Sequence, residues 1–499
     1  MSETRHDPFR GNFVGGHFVP AIGDGFASHD PATSAGDVVT EAVADVGAVD
    51  AAVEAAQAAL RGWRGAAVEA RIDALRRVQS KVPAHQERIA QAITAEMGKS
   101  LAEARAEAGS IAGKIAGVIE QLPHELPRAG PGAPGEQRFH PLGVVAIIGP
   151  FNFPVHLLNT HVIPTLITGN TVVAKPSELT PLSGQRYAEL FADADFPAGV
   201  FNLVHGLGAT GAALAAHPGV RGVVFTGSYA TGRRIREATF DRPGKKLSLE
   251  LGGKNPALVL DDADLDQAVR EILLGALLTT GQRCTATSRV IATPGIAPAL
   301  ERRLAAAFAR VTPSPPTDPA CFMGPLASHA ARESFMARVA AGEGEGLKAI
   351  VPARALPGGA YVTPGLYRAQ GGEATLSEEL FGPHVAFEAA ADEDDAFARA
   401  ASNPFGLSAS LFSARADALE RFYDEVPAGV INFNRSTNGA SGLLPFGGVG
   451  MSGNWHPAGS LAPRNATYPV AVMRAPLGER TPHAGLDRLL GDRPLGEIA

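Results

Sequence analysis

The chain has 499 residues, of which 45% are hydrophobic and 19% are charged, and its formal net charge is −7. This length predicts two or three domains, and the composition is typical of a soluble globular protein. No basic cluster indicates a nucleic-acid surface, and the apolar runs are too short to span a membrane. Two cysteines cannot form a disulfide framework, so we expect a cytoplasmic location. Neither CxxC nor HExxH spacing occurs, so we expect no metal site.

The first 120 residues are predicted to be mainly helical. Residues 1–40 indicate turns with short strands, for example at 12–14 and 17–19. Residues 46–118 are rich in alanine, with apolar side chains at helical spacing. The segment 121–142 contains several prolines and glycines, which is typical of a linker or of a segment that crosses between domains.

Apolar strands that alternate with helices follow this segment. A helical pattern comes after each of the first four strands, and the strands are predicted at 144–148, 171–174, 201–204, 222–225 and 247–249. Strands that are apolar on both faces predict a parallel sheet of βαβ units, which binds ligands at the carboxyl ends of its strands. A second α/β domain is predicted from a strand at 257–260, a helix at 264–281 and a strand at 431–433.

Cys284 is the candidate nucleophile. It follows Gly281-Gln-Arg at the end of the helix predicted for 264–281, and a thiolate is well suited to attack a carbonyl carbon near neutral pH. The adjacent cation of Arg283 is expected to lower the pKa of this thiol. The alternative is that Cys284 is a small buried hydrophobic residue, as we expect for Cys321 in its proline-rich region.

Two further side chains have the chemistry that a thiol nucleophile needs. Glu250 lies between two leucines, where burial would raise its pKa and make it a general base, although it can also be an exposed residue at a strand end. Asn152 lies between Pro150 and Pro154, so its amide can donate to a developing oxyanion or can complete a turn. Spacing alone leaves these alternatives open.

Two segments indicate a nucleotide. Lys175 and Glu178 follow a predicted strand, where they can bind a ribose or form a solvated ion pair, and Glu178 would repel a 2′-phosphate, which favours NAD over NADP. The turn at 227–232 begins a helix, so its N–H groups can bind a pyrophosphate or simply form a turn. Glu379 can bind a second ribose or cap a turn. The run at 206–211 matches G-x-G-x-x-G, but no acidic residue follows at the spacing of a dinucleotide site.

These motifs, in this order, resemble those of the aldehyde dehydrogenase superfamily from about residue 12 to 475. The resemblance rests on Pro150-Phe-Asn-Phe-Pro154, Gly169-Asn-Thr-Val-Val-Ala-Lys-Pro-Ser-Glu178, Phe225-Thr-Gly-Ser228, Leu249-Glu-Leu-Gly-Gly-Lys-Asn-Pro256, Gly281-Gln-Arg-Cys284, Glu379-Leu-Phe-Gly-Pro383, Asn403-Pro-Phe-Gly-Leu407 and Pro445-Phe-Gly-Gly448. It implies an α/β fold with a Rossmann-type parallel-sheet cofactor domain, an α/β catalytic domain and a small β oligomerisation arm. We expect the cofactor domain at 1–120 and 142–251, the catalytic domain at 252–459, the arm at 121–141 and 460–476, and a tail at 477–499.

The resemblance also implies roles for the matching residues. Cys284 would be the nucleophile, Asn152 and the Cys284 N–H would form the oxyanion hole, and Glu250 would activate the hydrolytic water. NAD would be bound by Lys175, Ser177, Glu178, Thr226, Gly227, Ser228, Gly232, Glu379 and Phe381. The candidate substrate residues are Phe151, Arg283 and Arg435, although Arg435 can equally be a solvated loop residue.

Within the superfamily, the chain is most similar to succinylglutamate-semialdehyde dehydrogenases of arginine catabolism, in residues 135–143, 159–164 and 445–454. Such enzymes often have two asparagines where this chain has Lys254-Asn255, and many relatives have tryptophan at the position of Phe151. We therefore expect NAD-dependent oxidation of an aldehyde, such as N-succinylglutamate semialdehyde, to the acid by a homodimer or homotetramer.

Four alternatives remain. The substrate can be another aliphatic or aromatic aldehyde. A CoA-acylating dehydrogenase is disfavoured by Glu250 at the position of the base. A thiol hydrolase using His205 or His217 would leave the cofactor motifs unexplained. A non-catalytic protein would not need the complete set of chemical residues.

Overall fold

The computed structural model describes residues 8–127 and 135–490. In chain order the strands are β1 (Asn12–Val14), β2 (His17–Val19), β3 (Asp24–His29), β4 (Val38–Ala44), β5 (Gly135–Pro141), β6 (Val144–Ile148), β7 (Thr171–Lys175), β8 (Phe201–Leu203), β9 (Val220–Thr226), β10 (Lys246–Glu250), β11 (Asn255–Val259), β12 (Thr287–Ala292), β13 (Lys348–Val351), β14 (Gly365–Arg368), β15 (His384–Ala389), β16 (Phe405–Gly406), β17 (Ser408–Phe412), β18 (Val430–Phe433), β19 (Pro445–Phe446), β20 (Val449–Gly450), β21 (Ala458–Gly459) and β22 (Thr467–Met473).

The helices are α1 (Ala48–Gly65), α2 (Val68–Met97), α3 (Leu101–Glu125), α4 (His156–Ile167), α5 (Pro181–Asp193), α6 (Gly208–Ala216), α7 (Tyr229–Thr239), α8 (Leu265–Leu277), α9 (Ala297–Phe308), α10 (His329–Glu345), α11 (Glu393–Ala401), α12 (Ala416–Glu425), α13 (Ala462–Asn465) and α14 (Ala484–Leu490). Short 3₁₀ turns lie at Leu278–Gly281 and Ala374–Ser377. Within residues 8–127 and 135–490, no helix combines the length and the apolar character needed to cross a membrane.

The first large sheet has the strand order β10-β9-β6-β7-β8-β1-β2. Its first five strands are parallel, as the βαβ pattern predicts, while β1 and β2 form an antiparallel edge. Apolar side chains of α2 to α5 pack mainly on one face, and those of α1, α6 and α7 pack on the other. Because both faces are covered, all five residues of β6 are buried, which explains its continuously apolar sequence.

The second large sheet has the strand order β13-β14-β15-β12-β11-β17-β18, and only β13 is antiparallel to its neighbour. Helices α8 and α9 cover one face, and α11 and α12 cover the other. The chain passes from the carboxyl end of β10 to the amino end of β11 through residues 251–254 alone. The carboxyl edge of the first sheet and the amino edge of the second therefore lie close together, and the candidate site forms between them.

Two local predictions need correction, and one pair of strands lies outside the predictions. The segment 121–142 is not a simple linker, because α3 continues to Glu125 and β5 pairs with β22 in an antiparallel ribbon; residues 128–134 lie outside the described part. The antiparallel pair of β3 and β4 was not anticipated. The helix predicted to residue 281 ends at Leu277, where a 3₁₀ turn begins. The β5–β22 ribbon has the place of the expected arm, and its role in assembly stays a prediction.

Candidate active site

Cys284 follows a turn whose backbone is strained. Thr279 and Thr280 have φ angles of 54° and 56°, and Gly281 follows at 69°. The left-handed conformation is costly for β-branched residues, so it persists only where the surrounding structure holds it. Glu103 of α3 does this, because its carboxylate accepts hydrogen bonds from the Thr279 N–H at 3.2 Å and from Thr279 Oγ1 at 2.9 Å.

Arg283 binds the same glutamate. Its Nη2 donates to Glu103 Oε1 at 2.7 Å, and its Nε donates to Thr279 Oγ1 at 2.9 Å. The guanidinium also lies 5.1 Å from the centre of the Phe153 ring. The charge of Arg283 is therefore compensated by Glu103, and its donors support the turn, which leaves little of it for a substrate.

The pKa of Cys284 is raised, not lowered. Burial raises it to about 12, with further contributions from the negative charges of Glu379 and Glu250, and the backbone N–H groups of Thr285 and Cys284 oppose this shift only partly. The expectation that Arg283 lowers the pKa of this thiol is therefore wrong. A base must take the thiol proton before Cys284 can act as a nucleophile at neutral pH.

Asn152 lies beside the turn that carries the thiol. Its Nδ2 donates to the backbone carbonyl of Gln282 at 2.9 Å, and the Asn152 backbone carbonyl accepts from Lys99 Nζ at 2.7 Å. Lys99 is buried with Glu107, and the two charges are 2.5 Å apart. The other oxygen of Glu107 accepts from the N–H groups at 155–156, at 3.1 and 3.0 Å. A buried ion pair therefore stabilises the loop that carries Asn152.

Glu250 and Cys284 line one small cavity. Oε1 of Glu250 accepts from the Ala458 N–H at 3.2 Å, while Oε2 has no hydrogen-bond partner among residues 8–127 and 135–490. Burial raises the pKa of Glu250 well above its ordinary value. The cavity volume is about 20 Å³, which is roughly the room that one water needs. The remaining lining is mostly apolar and comprises Leu157, Thr160, His161, Thr226, Leu251, Leu407, Phe446 and Ala458.

Glu379, Phe381 and Phe151 come together near the thiol. Glu379 accepts from the Gly253 N–H at 3.0 Å, and burial raises its pKa to about 7. Phe381 has a φ of 54°, and its ring meets that of Phe151 edge-on with centroids 5.7 Å apart. After burial, the charge of Glu379 is the next contribution to the raised pKa of Cys284, so this carboxylate acts on the thiol.

Lys175, Ser177 and Glu178 follow β7 at the carboxyl edge of the first sheet. Lys175 is buried, donates to the carbonyl of Pro176 at 3.1 Å and lies 3.6 Å from the carboxylate of Glu178. Ser177 Oγ accepts from the Leu179 N–H and so stabilises the turn. The Glu178 side chain is 49% exposed, which leaves it accessible to a ribose diol.

Ser228 is the N-cap of α7 and accepts from the Thr231 N–H at 3.3 Å. The positive end of a helix suits a pyrophosphate. Gly227 precedes this cap. Gly232, on the first turn of α7, has a packing reason to be glycine, because a Cβ there would lie 2.6 Å from Leu251 Cδ2.

Arg435 lies on an exposed loop after β18. Its neighbours bind α8: Gln267 Nε2 donates to the Asn434 carbonyl at 3.0 Å, and the Ser436 N–H donates to Glu271 Oε2 at 2.8 Å. Arg435 is not among the described residues that line the cavity of Cys284. Its part in substrate binding stays a prediction.

Comparison with known proteins gives the family. The sequence profile of the aldehyde dehydrogenase family matches residues 18–468. The chain belongs to the aldehyde dehydrogenase family. The resemblance found in the sequence and the predicted fold class are therefore confirmed, and the protein is an oxidoreductase that acts on aldehydes.

Individual relatives of this aldehyde dehydrogenase are similar over most of their length. N-succinylglutamate 5-semialdehyde dehydrogenase 1 of Caulobacter vibrioides is 41% identical over 461 residues, covering 90% of this chain and 96% of the relative. The N-succinylglutamate 5-semialdehyde dehydrogenase of Chromobacterium violaceum is 37% identical over 470 residues, covering 92% and 96%. A mutant of aldehyde dehydrogenase C from Pseudomonas syringae, crystallised with NAD+ and octanal, has a TM-score of 0.89 and 30% identity, covering 95% and 99%.

The histidines considered for a thiol hydrolase lie elsewhere in this dehydrogenase. Burial, together with the charge of Lys175, lowers the pKa of His205 to about 3. His217 pairs with Asp50 at 3.1 Å. Neither is among the described residues that line the cavity, whereas His161, which the sequence did not single out, is. The family assignment excludes a hydrolase and a non-catalytic protein.

Sequence reasoning also missed the residues that hold the site. Glu103, Lys99 and Glu107 were read only as part of amphipathic helices, and Asn255 only as part of a motif. Asn255 Nδ2 donates to the carbonyls of Cys284 at 2.8 Å and of residue 286 at 2.9 Å. One available signal was the spacing of Glu103 and Glu107, four residues apart among the buried alanines and isoleucines of α3. Carboxylates on a buried helical face are usually paired.

Proposed function

We propose that this aldehyde dehydrogenase uses NAD to oxidise an acidic semialdehyde, of the kind named for its relatives, N-succinylglutamate 5-semialdehyde, to the carboxylic acid. One observation carries the chemistry: Cys284 and Glu250, whose Oε2 has no partner in the described part of the chain, line the same mostly apolar cavity, which has room for one water. A nucleophile and a base with a raised pKa in one cavity suit a reaction with a covalent step and a hydrolytic step.

In the proposed mechanism, Glu250 accepts the proton of Cys284, and the thiolate attacks the aldehyde carbon. The resulting thiohemiacetal oxyanion is bound by Asn152 Nδ2 and by the Cys284 N–H, and one such donor is typically worth about 2.7–4 kcal/mol in the transition state. Loss of hydride from the former aldehyde carbon leaves a thioester on Cys284. Glu250 releases the first proton to solvent and then takes a proton from water, whose oxygen attacks the thioester. Expulsion of the Cys284 thiolate releases the acid.

NAD, when bound, accepts that hydride. The donor set of the first sheet fits this dinucleotide: an ammonium and a carboxylate at Lys175 and Glu178 for a ribose, and the N-terminus of α7 at Ser228 for the pyrophosphate. Glu379 and Phe381 would hold the second ribose and the nicotinamide beside the thiol. The negative Glu178 supports NAD over NADP.

We also propose that the cytoplasmic enzyme assembles as a homodimer or homotetramer through the β5–β22 ribbon. In support, both strands of this ribbon carry partly or fully exposed residues along most of their length. The domain boundaries given above belong to the same proposal.

The proposal is tested by product analysis with N-succinylglutamate 5-semialdehyde and NAD, without CoA. We expect NADH and free acid in equal amounts from the wild-type enzyme and neither from Cys284→Ala. Glu250→Gln keeps a carbonyl acceptor but cannot take a proton, so its turnover should be lost or reduced to a slow release of acid. Formation of an acyl-CoA when CoA is added, with no free acid in its absence, would contradict the reaction. Turnover only of uncharged aromatic aldehydes would contradict the substrate class.

A further inference from the structure

The cations nearest the two catalytic loops are already compensated. Lys99 pairs with Glu107 at 2.5 Å, and Arg283 pairs with Glu103 at 2.7 Å. Both cations also donate to groups that support the loops, so neither is free for the negative end of an acidic substrate.

Lys114 differs from them. It lies half-buried on α3, between α4 and the segment at 441–444. On the first side, Ser110, one turn earlier on α3, has its Oγ 2.9 Å from His156 Nδ1 of α4. On the second side, a Cβ on Gly442 would lie 3.5 Å from Lys114 Nζ, and Gln121 Nε2 of α3 donates to the carbonyl at 443 at 3.3 Å.

The part of α3 that carries Lys114 packs against the wall of the catalytic cavity, because Asn159 Nδ2 of α4 donates to the Ile111 carbonyl of α3 at 3.4 Å. His161 of α4 lines that cavity together with Cys284 and Glu250. In keeping with this packing, burial and then the charge of Lys114 lower the pKa of His161, and Lys114 also contributes to lowering the pKa of His156. Within residues 8–127 and 135–490, no carboxylate lies at ion-pairing distance from Lys114. Partial burial makes the charge costlier to leave unpaired, so the ammonium favours an anionic partner.

We propose that Lys114 binds the carboxylate at the far end of the aldehyde substrate and thereby gives the enzyme its preference for acidic over neutral aldehydes. This inference rests on the function proposed above. The substrate supplies the missing counter-ion, and the aldehyde at its other end reaches Cys284. Because the contact is made equally before and during the reaction, it should act mainly on KM.

The test compares kcat and KM for N-succinylglutamate 5-semialdehyde and for butanal in four proteins: wild type, Lys114→Met, Lys114→Arg and Lys348→Met. Lys348 is an exposed lysine on β13, so its variant matches the loss of one charge. With the acidic aldehyde, Lys114→Met should lose about tenfold to a hundredfold in kcat/KM, as expected for one hydrogen bond to a charged group. Lys114→Arg should keep most of the activity, and Lys348→Met all of it.

Turnover of butanal by Lys114→Met at the wild-type rate shows that this variant is folded and chemically competent. An equal loss with both aldehydes, or no loss with either, would overturn the role of Lys114 while leaving the substrate class intact. If the wild-type enzyme itself shows no preference for the acidic aldehyde, the proposed substrate class fails, and a carboxylate-binding role for Lys114 fails with it.

Discussion

The substitution Glu107→Gln tests the buried ion pair behind the Asn152 loop. Lys99 Nζ and Glu107 Oε2 are 2.5 Å apart, and their side chains are 0% and 1% exposed. Removing one partner of such a pair typically costs about 3–5 kcal/mol, because the remaining charge stays buried. In the variant, Lys99 would keep the carbonyl of Asn152 as an acceptor but would lose its full counter-charge. We therefore expect the free energy of unfolding to fall by about 3–5 kcal/mol.

Turnover should fall as well. Glu107 connects Lys99, and through it the Asn152 carbonyl, to the N–H groups at 155–156. If this arrangement loosens, Asn152 Nδ2 is no longer held where the oxyanion forms. Complete loss of one such donor typically costs about a hundredfold to a thousandfold in kcat, which sets the upper limit of the expected effect.

Two measurements check this reasoning: the urea midpoint of unfolding, and kcat at a temperature where circular dichroism shows the variant to be native. Glu87→Gln is the matched control, since Glu87 of α2 pairs with Arg105 of α3 at 2.8 Å but is 50% exposed. Its midpoint and kcat should stay near the wild-type values.

The double variant Lys99→Met/Glu107→Leu separates the two effects. An apolar replacement of a buried pair is often neutral or stabilising, so its midpoint should recover, while kcat should stay low because the hydrogen bonds to the loop are still missing. A wild-type kcat in either folded Glu107 variant would refute the positioning role. A midpoint for Glu107→Gln no lower than that of Glu87→Gln would refute the argument from burial.

Three further outcomes are expected. In a Cys321→Ser background, the rate at which iodoacetamide alkylates Cys284 should keep rising above pH 9, because the pKa of Cys284 is about 12. Glu379→Gln should increase this rate at pH 9, where Glu379 (pKa about 7) is charged, but not at pH 6, where Glu379 is mostly neutral. Glu178→Gln should lower KM for NADP about fivefold, the ~1 kcal/mol that two unit charges exchange across 4 Å of water, and an unchanged KM would place the 2′-phosphate elsewhere. Arg435→Ala should leave KM for acidic and neutral aldehydes unchanged, since the Arg435 side chain is exposed.

The sequence predicted the sheets better than the connections between them. β6 was predicted to the residue, because a strand covered on both faces is apolar throughout and periodicity detects it. The end of α8 was not, since Thr279 and Thr280 adopt a left-handed backbone that their own preferences oppose. That conformation is stabilised by Glu103, which is 176 positions away in sequence. A local sequence pattern cannot predict such a long-range contact.

The same limit explains the two opposite errors about cations. Arg283 is adjacent to the nucleophile in sequence, and this proximity predicts that it lowers the pKa of the thiol. Its guanidinium instead binds Glu103, which is 180 positions away in sequence. Lys114 is remote in sequence and was not considered, yet its charge acts on a histidine of the cavity wall. With Arg283 compensated, and with burial and then two carboxylates raising the pKa of Cys284, the resting thiol is protonated and weakly reactive. Under the proposed mechanism, nucleophilicity then depends on proton transfer to Glu250, so the base is needed for the first chemical step as well as for hydrolysis.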